Sequence, residues 1–523
     1  MRTSVSAAIV IGTLLLCVGC MVGPNYKRPT APVPQVYKEQ PPEGWKQAQP
    51  NEGALRGKWW EIYNDPQLNA LEEQVNINNQ NVLQAESVYR EARDSARIAR
   101  AALFPVVSGS FGASRSLTSS NLGARSNLIN FVAGTRNDFR LPLDITYQPD
   151  VWGAVRRSVR AEVANAQASA ANLENVRLLF QSQLAVTYFE LRGLDANQEL
   201  LERTVKSYED NLQLTKDRFS VGVASGADVA QAQTQLDTTR ANLVDLAVAR
   251  NADEHAIAVL TGKPPSALTL PFAPLRTAPP SIPVAIPSVL LERRPDIANN
   301  ERIVAAANEQ IGIAKAAFFP NIPLSASGGF ESSSISTLAQ WPSRFWSIGG
   351  SVAETIFEGG KRRAQLDLER AAYDATVAGY RQTVLTAFEQ VEDELSALRV
   401  LEQEAAAEDR AVKAAQESLA ISNAQYKAGT VSYLQVITTQ AIALQDESAA
   451  VNILTRRLTA SVLLIEALGG GWDASQLPSR HDVLAGSKTV PPPGSNQPAA
   501  APPQPAAGSQ TQPTPPPGTP PSP

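Results

Sequence analysis

The sequence predicts a mixed α and β chain that contributes to two stacked barrels: a long tube of α-helices, and a transmembrane β-barrel completed by trimerisation, with four strands from each protomer. Three observations predict it. The first is an internal two-fold repeat. Ile98-Ala99-Arg100-Ala101-Ala102-Leu103-Phe104-Pro105 returns as Ile313-Ala314-Lys315-Ala316-Ala317-Phe318-Phe319-Pro320, an offset of 215, and Phe219-Ser220-Val221-Gly222 returns as Tyr426-Lys427-Ala428-Gly429, an offset of 207. Two matches in the same order mean duplication, and the eight-residue difference places extra chain in copy one between the landmarks. The second is that residues 156–222 and 361–429 contain no proline and are rich in Ala, Leu, Gln, Glu and Arg. Helices of that length run about 100 Å, far beyond those of a globular core. The third is strict alternation: Phe139, Leu141, Leu143, Ile145 and Tyr147 against Arg140, Pro142, Asp144, Thr146 and Gln148, and Ile322, Leu324, Ala326, Gly328 and Phe330 against Pro323, Ser325, Ser327, Gly329 and Glu331. About ten alternating residues is the length of a tilted membrane strand with lipid on one face and water on the other. Strands of a soluble sandwich alternate likewise, but no further strands exist here to build a second sheet.

In chain order, residues 1–19 read as an export signal: Arg2, an apolar run too short for a bilayer span of about 20 residues, then small residues. Leu16-Cys17-Val18-Gly19-Cys20 resembles a bacterial lipobox, which makes Cys20 the lipidation site and the mature N-terminus. Residues 20–64 form an extended segment. Repeat 1 (65–262) reads as a helix over 67–104, strands near 106–116 and 138–149, the long helix, and a return helix over 228–261. A Pro-rich linker occupies 263–287. Repeat 2 (288–468) reads as a helix over 289–319, strands near 321–332 and 345–357, the long helix, and a return helix over 433–468. Residues 469–488 form a C-terminal segment beside the linker, and 489–523, uncharged and dense in proline, a disordered tail.

Each return helix is about half as long as the arm before it, and the lead-in helix supplies the deficit. Each copy therefore makes one continuous column and one column broken at mid-height, where linker and chain ends gather as a belt. Four strands cannot close on themselves, and an open edge in hydrocarbon costs several kcal/mol per unpaired backbone group. Three protomers supply twelve strands. The tips of the long hairpins are marked by Gly222 and Gly429.

Composition excludes several classes. A net charge of −5 with 19% charged residues suits no nucleic-acid partner. The only cysteines are Cys17 and Cys20 and the only histidines His255 and His481, so no disulfide framework, metal cluster or Ser/His/Asp constellation can be assembled, and no cofactor is called for. There is no Gly-Lys-Ser/Thr phosphate loop. The motif Arg293-Arg294-Pro295-Asp296 reads as a helix start, with Asp296 near the positive end and the arginines in surface pairs. Ala161, Ala164, Ala168 and Ala171 admit close helix packing or simple helix propensity, which periodicity does not separate.

The chain resembles the TolC-type outer-membrane factor family, in its lipoprotein branch of multidrug efflux channels. The resemblance rests on Cys20-Met21-Val22-Gly23-Pro24-Asn25-Tyr26 with Arg28-Pro29, Trp59-Trp60, Asp65-Pro66, Leu68-Asn69, Leu290-Leu291 with Arg293 to Ile297, the run ending at Pro320, Tyr433-Leu434, and Ala467-Leu468-Gly469-Gly470-Gly471-Trp472. It implies a homotrimer in the outer-membrane lipid, a periplasmic helical tunnel with a gate at its lower tip, a periplasmic adaptor and inner-membrane pump as partners, and no enzymatic step. Relatives carry acidic residues on the second copy's return helix at the gate, where this chain has Gln435 and Thr438. Asp228 is the copy-one equivalent of Gln435, either as a ring lining the gate or as a solvated helix-start carboxylate. Remaining alternatives are a protein-export duct of the type I secretion kind and a non-pore periplasmic coiled coil.

Overall fold

The computed structural model describes residues 21–39, 42, 57–117, 135–282 and 287–485. Helices α1 (Pro66–Asn78) and α2 (Gln80–Ala101) lead into strands β1 (Val106–Gly109), β2 (Gly112–Leu117) and β3 (Thr135–Tyr147), followed by α3 (Ala154–Ser220) and α4 (Gly226–Leu260). The second copy runs α5 (Pro287–Arg293), α6 (Pro295–Ala316), β4 (Leu324–Ser332), β5 (Arg344–Gly350), α7 (Lys361–Ala428) and α8 (Tyr433–Ala467), and a short α9 (Arg480–Leu484) follows. At 67 and 68 residues, α3 and α7 are each about 100 Å long. The signal 1–19, Cys20, most of the first strand-to-strand loop (118–134) and the tail 489–523 lie outside the described residues.

Both lead-in helices, expected to be continuous, are broken. Asn79 leaves the helical region (ψ 122) and its carboxamide oxygen caps α2 by accepting from the N–H groups of Asn81 and Val82. Arg294 precedes a proline, whose ring disfavours helical geometry in the residue before it, and sits at φ −97, ψ 123. Nor is Arg294 a surface residue. It is buried, donates to the Ala467 carbonyl (2.9 Å) and forks onto the Asp296 carboxylate (3.0 and 2.6 Å), tying the belt to the end of α8.

All strands pair antiparallel in the order β1/β2, β3, β4, β5. β1 and β2 are one strand interrupted opposite Pro142, which has no N–H to give; its carbonyl still accepts from Ser110 (3.2 Å). Proline inside a sheet is normally confined to edges. Gly329 makes it possible here, since a Cβ at Gly329 would lie 2.1 Å from the Leu141 carbonyl oxygen and 2.9 Å from the Pro142 Cα. The strand expected over 321–332 begins at Leu324, after Pro320 and Pro323, which lack donors. The strand expected over 345–357 ends at Gly350, beyond which only Ala353 bridges back to Asn321.

Above mid-height the helices pack in the order α2, α3, α6, α7; below it, α4, α3, α8, α7. Close approach is why α3 is alanine-rich: Ala164 meets Ala305 and Ala306, and Ala171 meets Ala298 and Trp472. The main core lies at mid-height, where Trp59, Trp60 and Tyr63 join Leu184, Tyr188 and Phe189 of α3 and Val384, Val391 and Leu395 of α7. Each such buried side chain contributes about 1.5–3 kcal/mol. Three irregular segments meet α3 there: Trp59 donates to Gln181 (3.2 Å), Leu275 donates to the Arg192 carbonyl (3.1 Å), and Gly470 lies so close to Leu178 that a Cβ would sit 2.2 Å from its Cδ1.

Candidate functional site

Because pairing is in register, the alternation of single strands adds up to two faces. Val107, Ile145, Ala326 and Ile348 form one cross-strand row, and Leu143, Gly328 and Trp346 lie on another. These side chains have nothing over them: Leu143 is 53% exposed, Trp346 77% and Ile348 79%. The opposite face carries Ser108, Asp144, Ser327 and Ser347 in one row, with Ser327 donating to Asp144 (2.6 Å). On that face Arg140 is 3.6 Å from Glu331 and lies over the Phe345 ring at 4.7 Å. One face suits lipid and the other water, the requirement for a strand that lines a membrane pore.

At the helix end of the sheet, Trp152 stacks on Phe319 (4.7 Å) and donates to the Pro320 carbonyl (2.8 Å). Here the N-terminal strap 21–39 begins. Val22 donates to the Trp152 carbonyl (3.1 Å), and Met21 packs where a Cβ of Gly153 would be, 2.5 Å from the Met21 Cγ. The strap then runs along the second copy. Arg157, fully buried, donates to the carbonyls of Val22 (2.5 Å) and Pro24 (3.0 Å) and pairs with Glu309 (2.8 Å). Tyr26 bonds to Glu301, Arg28 donates to the Leu291 carbonyl (3.2 Å), and the Glu392 carboxylate accepts from the N–H groups of Lys38 (2.7 Å) and Glu39 (2.8 Å).

At the opposite end are the hairpin tips. Gly222 and Gly429 both adopt φ +78, the left-handed geometry that closes each turn. Ser225 and Asp228 form a reciprocal capping box at the start of α4, the serine hydroxyl accepting from the Asp228 N–H (3.1 Å) and the Asp228 carboxylate accepting from the Ser225 N–H (2.9 Å). Asp228 thus has a structural task. Gln435 holds the equivalent third position of α8, where Ser432 makes no side-chain cap. Gln435 and Thr438 are exposed, and the Thr438 hydroxyl donates back to the Leu434 carbonyl (2.9 Å).

Sequence reasoning missed the contact that joins the two tips. The Arg218 guanidinium lies over the Tyr426 ring (4.7 Å) and donates to the carbonyls of Tyr426 (2.8 Å) and Lys427 (3.2 Å). Tyr426 packs on Tyr433 (5.3 Å between rings) in a small core with Tyr208, Leu212 and Val436. Burial pushes the Tyr433 hydroxyl up to about 12, with neighbouring Tyr426, Tyr208 and Asp228 adding to it. A signal was present: at an offset of 207 the aromatic position is kept (Phe219, Tyr426), but the equivalents of Arg218 and Tyr433 are Gln425 and Gly226, so the copies differ in the residues that make the contact.

Burial also lifts several carboxyls away from the tips and the sheet. Burial lifts the Glu394 carboxyl to about 7, aided by Asp393 and Glu466, and the Asp253 carboxyl to about 6, aided by Glu190. Among the described residues no group of three or more His, Cys, Asp or Glu is placed to hold a metal ion.

The fold and its two-faced sheet have known counterparts. The family model for outer membrane efflux proteins matches residues 71–263 and 286–470. The toluene efflux pump outer membrane protein TtgC of Pseudomonas putida is 30% identical over 462 residues, covering 88% of this chain and 94% of that protein. The pyoverdine export outer membrane protein OpmQ of Pseudomonas aeruginosa is 30% identical over 422 residues, covering 80% and 88%. Among solved structures, the Campylobacter jejuni CmeC outer membrane channel superposes with a TM-score of 0.78 at 25% identity, covering 87% of this chain and 96% of that one. The match runs through both repeats, so the chain belongs to the outer membrane efflux protein family and is an outer-membrane channel of an efflux system.

Proposed function

We propose that three copies close a twelve-stranded barrel over a helical tunnel, and that small molecules pass through it without covalent chemistry. They arrive from an inner-membrane pump by way of a periplasmic adaptor that grips the tips near Gly222 and Gly429. The observation that carries this reading is the sheet itself: an apolar face, a polar face, and two outer edges, β1/β2 and β5, that find no partner strand within the described chain. Left open in hydrocarbon, those edges cost several kcal/mol per backbone group. Relatives are named for toluene, antibiotic and pyoverdine efflux or export, so the choice of cargo is assigned to the pump.

A second membrane attachment is a lipid on Cys20, after removal of the signal 1–19. Its support is the position of Met21, packed on Gly153 where the sheet meets the helices. Repeats 65–262 and 288–468 would then hang from the barrel, joined by linker 263–287 and the segment 469–488, with the gate at Asp228, Gln435 and Thr438. The test is a heat-modifiable trimer on a gel together with conductance in a planar bilayer. A monomer without conductance would sink the pore. Radiolabelled fatty acid should mark the wild type and not Cys20→Ser; label on both would remove the lipid anchor while leaving the channel.

A further inference from the structure

The lipid-facing side of the sheet carries two cations toward its loop end: Arg344, which begins β5, and Arg115 on β2, with Leu117 beyond it. Counting from the helix end, the apolar face of β3 runs Tyr147, Ile145, Leu143, Leu141 and Phe139, with Asn137 next. Nine residues at about 3.3 Å each, tilted by about 40°, give a band about 23 Å tall, which matches the apolar belt of an outer-membrane barrel. Toward the loop end the same face carries Arg344, in the row of Phe330 and Leu141 and one row short of Phe139, and Arg115, one row past Phe139 and opposite Asn137. Both are exposed. Among the described residues neither makes an ion pair, whereas Arg140, on the water face, has Glu331.

Arg344 is also held in place. Its guanidinium lies 4.0 Å over the ring of Trp341, itself 71% exposed. Trp341 opens a 3-10 turn, Trp341–Ser343, in a loop fastened by Ser343 donating to the Thr337 carbonyl (2.8 Å) and by the Ser332–Thr337 hydroxyl pair (2.7 Å). A cation without a counter-ion at the edge of hydrocarbon is costly unless it reaches a headgroup. A guanidinium matches a phosphate in geometry, with two parallel N–H donors.

We infer that Arg344, seated on Trp341 and supported by Arg115, binds the phosphate of a phosphorylated lipid in the outer leaflet. The inference rests on the outer-membrane channel reading. Closure of the barrel sets the β5 edge of one protomer beside the β1/β2 edge of the next, so each site draws on two copies and a bound lipid braces the seam between them. The charge lies toward the loop end of the strands, the side of the outer leaflet, and on the water face Arg140 is neutralised by Glu331 instead.

The test uses the full-length trimer in nanodiscs. Native mass spectrometry counts retained lipid with bis-phosphorylated lipid A, with its dephosphorylated form, and with bis-phosphorylated lipid A in the presence of inorganic phosphate. The phosphorylated form should be retained by the wild type at least about tenfold better than the dephosphorylated one, the scale of a charge-assisted bond. Arg344→Gln should remove most of that preference, Arg344→Lys should keep part of it, and millimolar inorganic phosphate should not displace the lipid. Equal retention of both lipids, an unaltered Arg344→Gln variant, or displacement by free phosphate would each overturn the site. Conductance measured on the same samples separates the two readings: wild-type pores without phosphate discrimination sink only this inference, while absence of pores sinks the channel.

Discussion

Replacing Arg157 by methionine tests how the strap is held. The guanidinium is fully buried and serves three acceptors at once, the carbonyls of Val22 and Pro24 and the Glu309 carboxylate. Two glycines make room for it: a Cβ at Gly312 would lie 2.2 Å from the Arg157 Cδ, and one at Gly23 2.6 Å from the Gly312 Cα. Removing one partner of a buried pair leaves an uncompensated charge and costs about 3–5 kcal/mol. The loss falls on docking of the strap rather than on the whole fold, because Tyr26, Arg28, Lys38 and Glu39 keep their own anchors on α5, α6 and α7. At about 1.4 kcal/mol per tenfold, Arg157→Met should lower hydrogen-exchange protection of the strap amide of Val22, which donates to the Trp152 carbonyl, by a factor of about 150 to 4,000. The double variant Arg157→Met/Glu309→Met removes the stranded charge and should recover most of the loss, since apolar replacement of a buried pair is often neutral. A single variant that loses less than about tenfold, or a double variant no better than the single, would refute the claim that Arg157 holds the strap by charge.

Gly329→Val should abolish the heat-stable trimer on gels, since its Cβ meets the β3 backbone, whereas Gly328→Ala, with no neighbour nearer than 3.7 Å, should assemble normally; equal assembly of the two would contradict the packing account of Pro142. Arg218→Gln should raise single-channel conductance or open time by releasing the Tyr426 contact, worth about 0.5–2 kcal/mol as a cation–π pair alone, while exposed Lys216→Gln should not; matching traces would exclude a latch at the tip. The carboxyl of Glu394 titrates near 7, above its ordinary value, so its protonated form is favoured in the folded chain. Stability should therefore rise as pH falls from about 7.5 to 5.5 in trimer-melting experiments, and Glu394→Gln should flatten that slope; a slope unchanged in the variant would assign it to other groups.

What was legible in the sequence was whatever local chemistry repeats. Long helices show as the absence of proline over more than sixty residues together with sustained helix propensity, and membrane strands show as period-two alternation, because both follow from neighbours along the chain. Breaks in the lead-in helices were less visible: Asn79 stands in a polar run, Asn78 to Asn81, in which any of several side chains could cap a helix. Arg294 was misplaced on the surface because charge ordinarily means exposure, and the carbonyl that accepts from it, Ala467, is 173 residues away. Arg157 gave no local sign at all, since its partners lie in the strap and in the other copy. The tip contact could have been found by asking where the copies differ rather than where they agree.

The duplicated Phe-Pro motif has a geometric cause in the proposed trimer. Twelve strands spaced about 4.8 Å and tilted about 40° enclose a circle of circumference about 75 Å. Twelve helix columns at about 9.5 Å between axes need about 115 Å. Each chain must therefore step outward by about 6 Å in radius where strand becomes helix, and it does so four times, twice in each direction. The descending steps occur at Gly153 and Gly360, which begin α3 and α7 with φ of +81 and +89, a geometry costly to any residue with a side chain. The ascending steps occur at Phe104-Pro105 and Phe319-Pro320, where proline ends the helix and sets φ for the strand that follows. Met21 fills the space beside Gly153, and Trp152 bridges to Phe319 and Pro320. The clearest repeat in the sequence thus marks the place where a narrow barrel is joined to a wider tube, a constraint each copy meets separately, while the tips, which touch one another, are free to diverge.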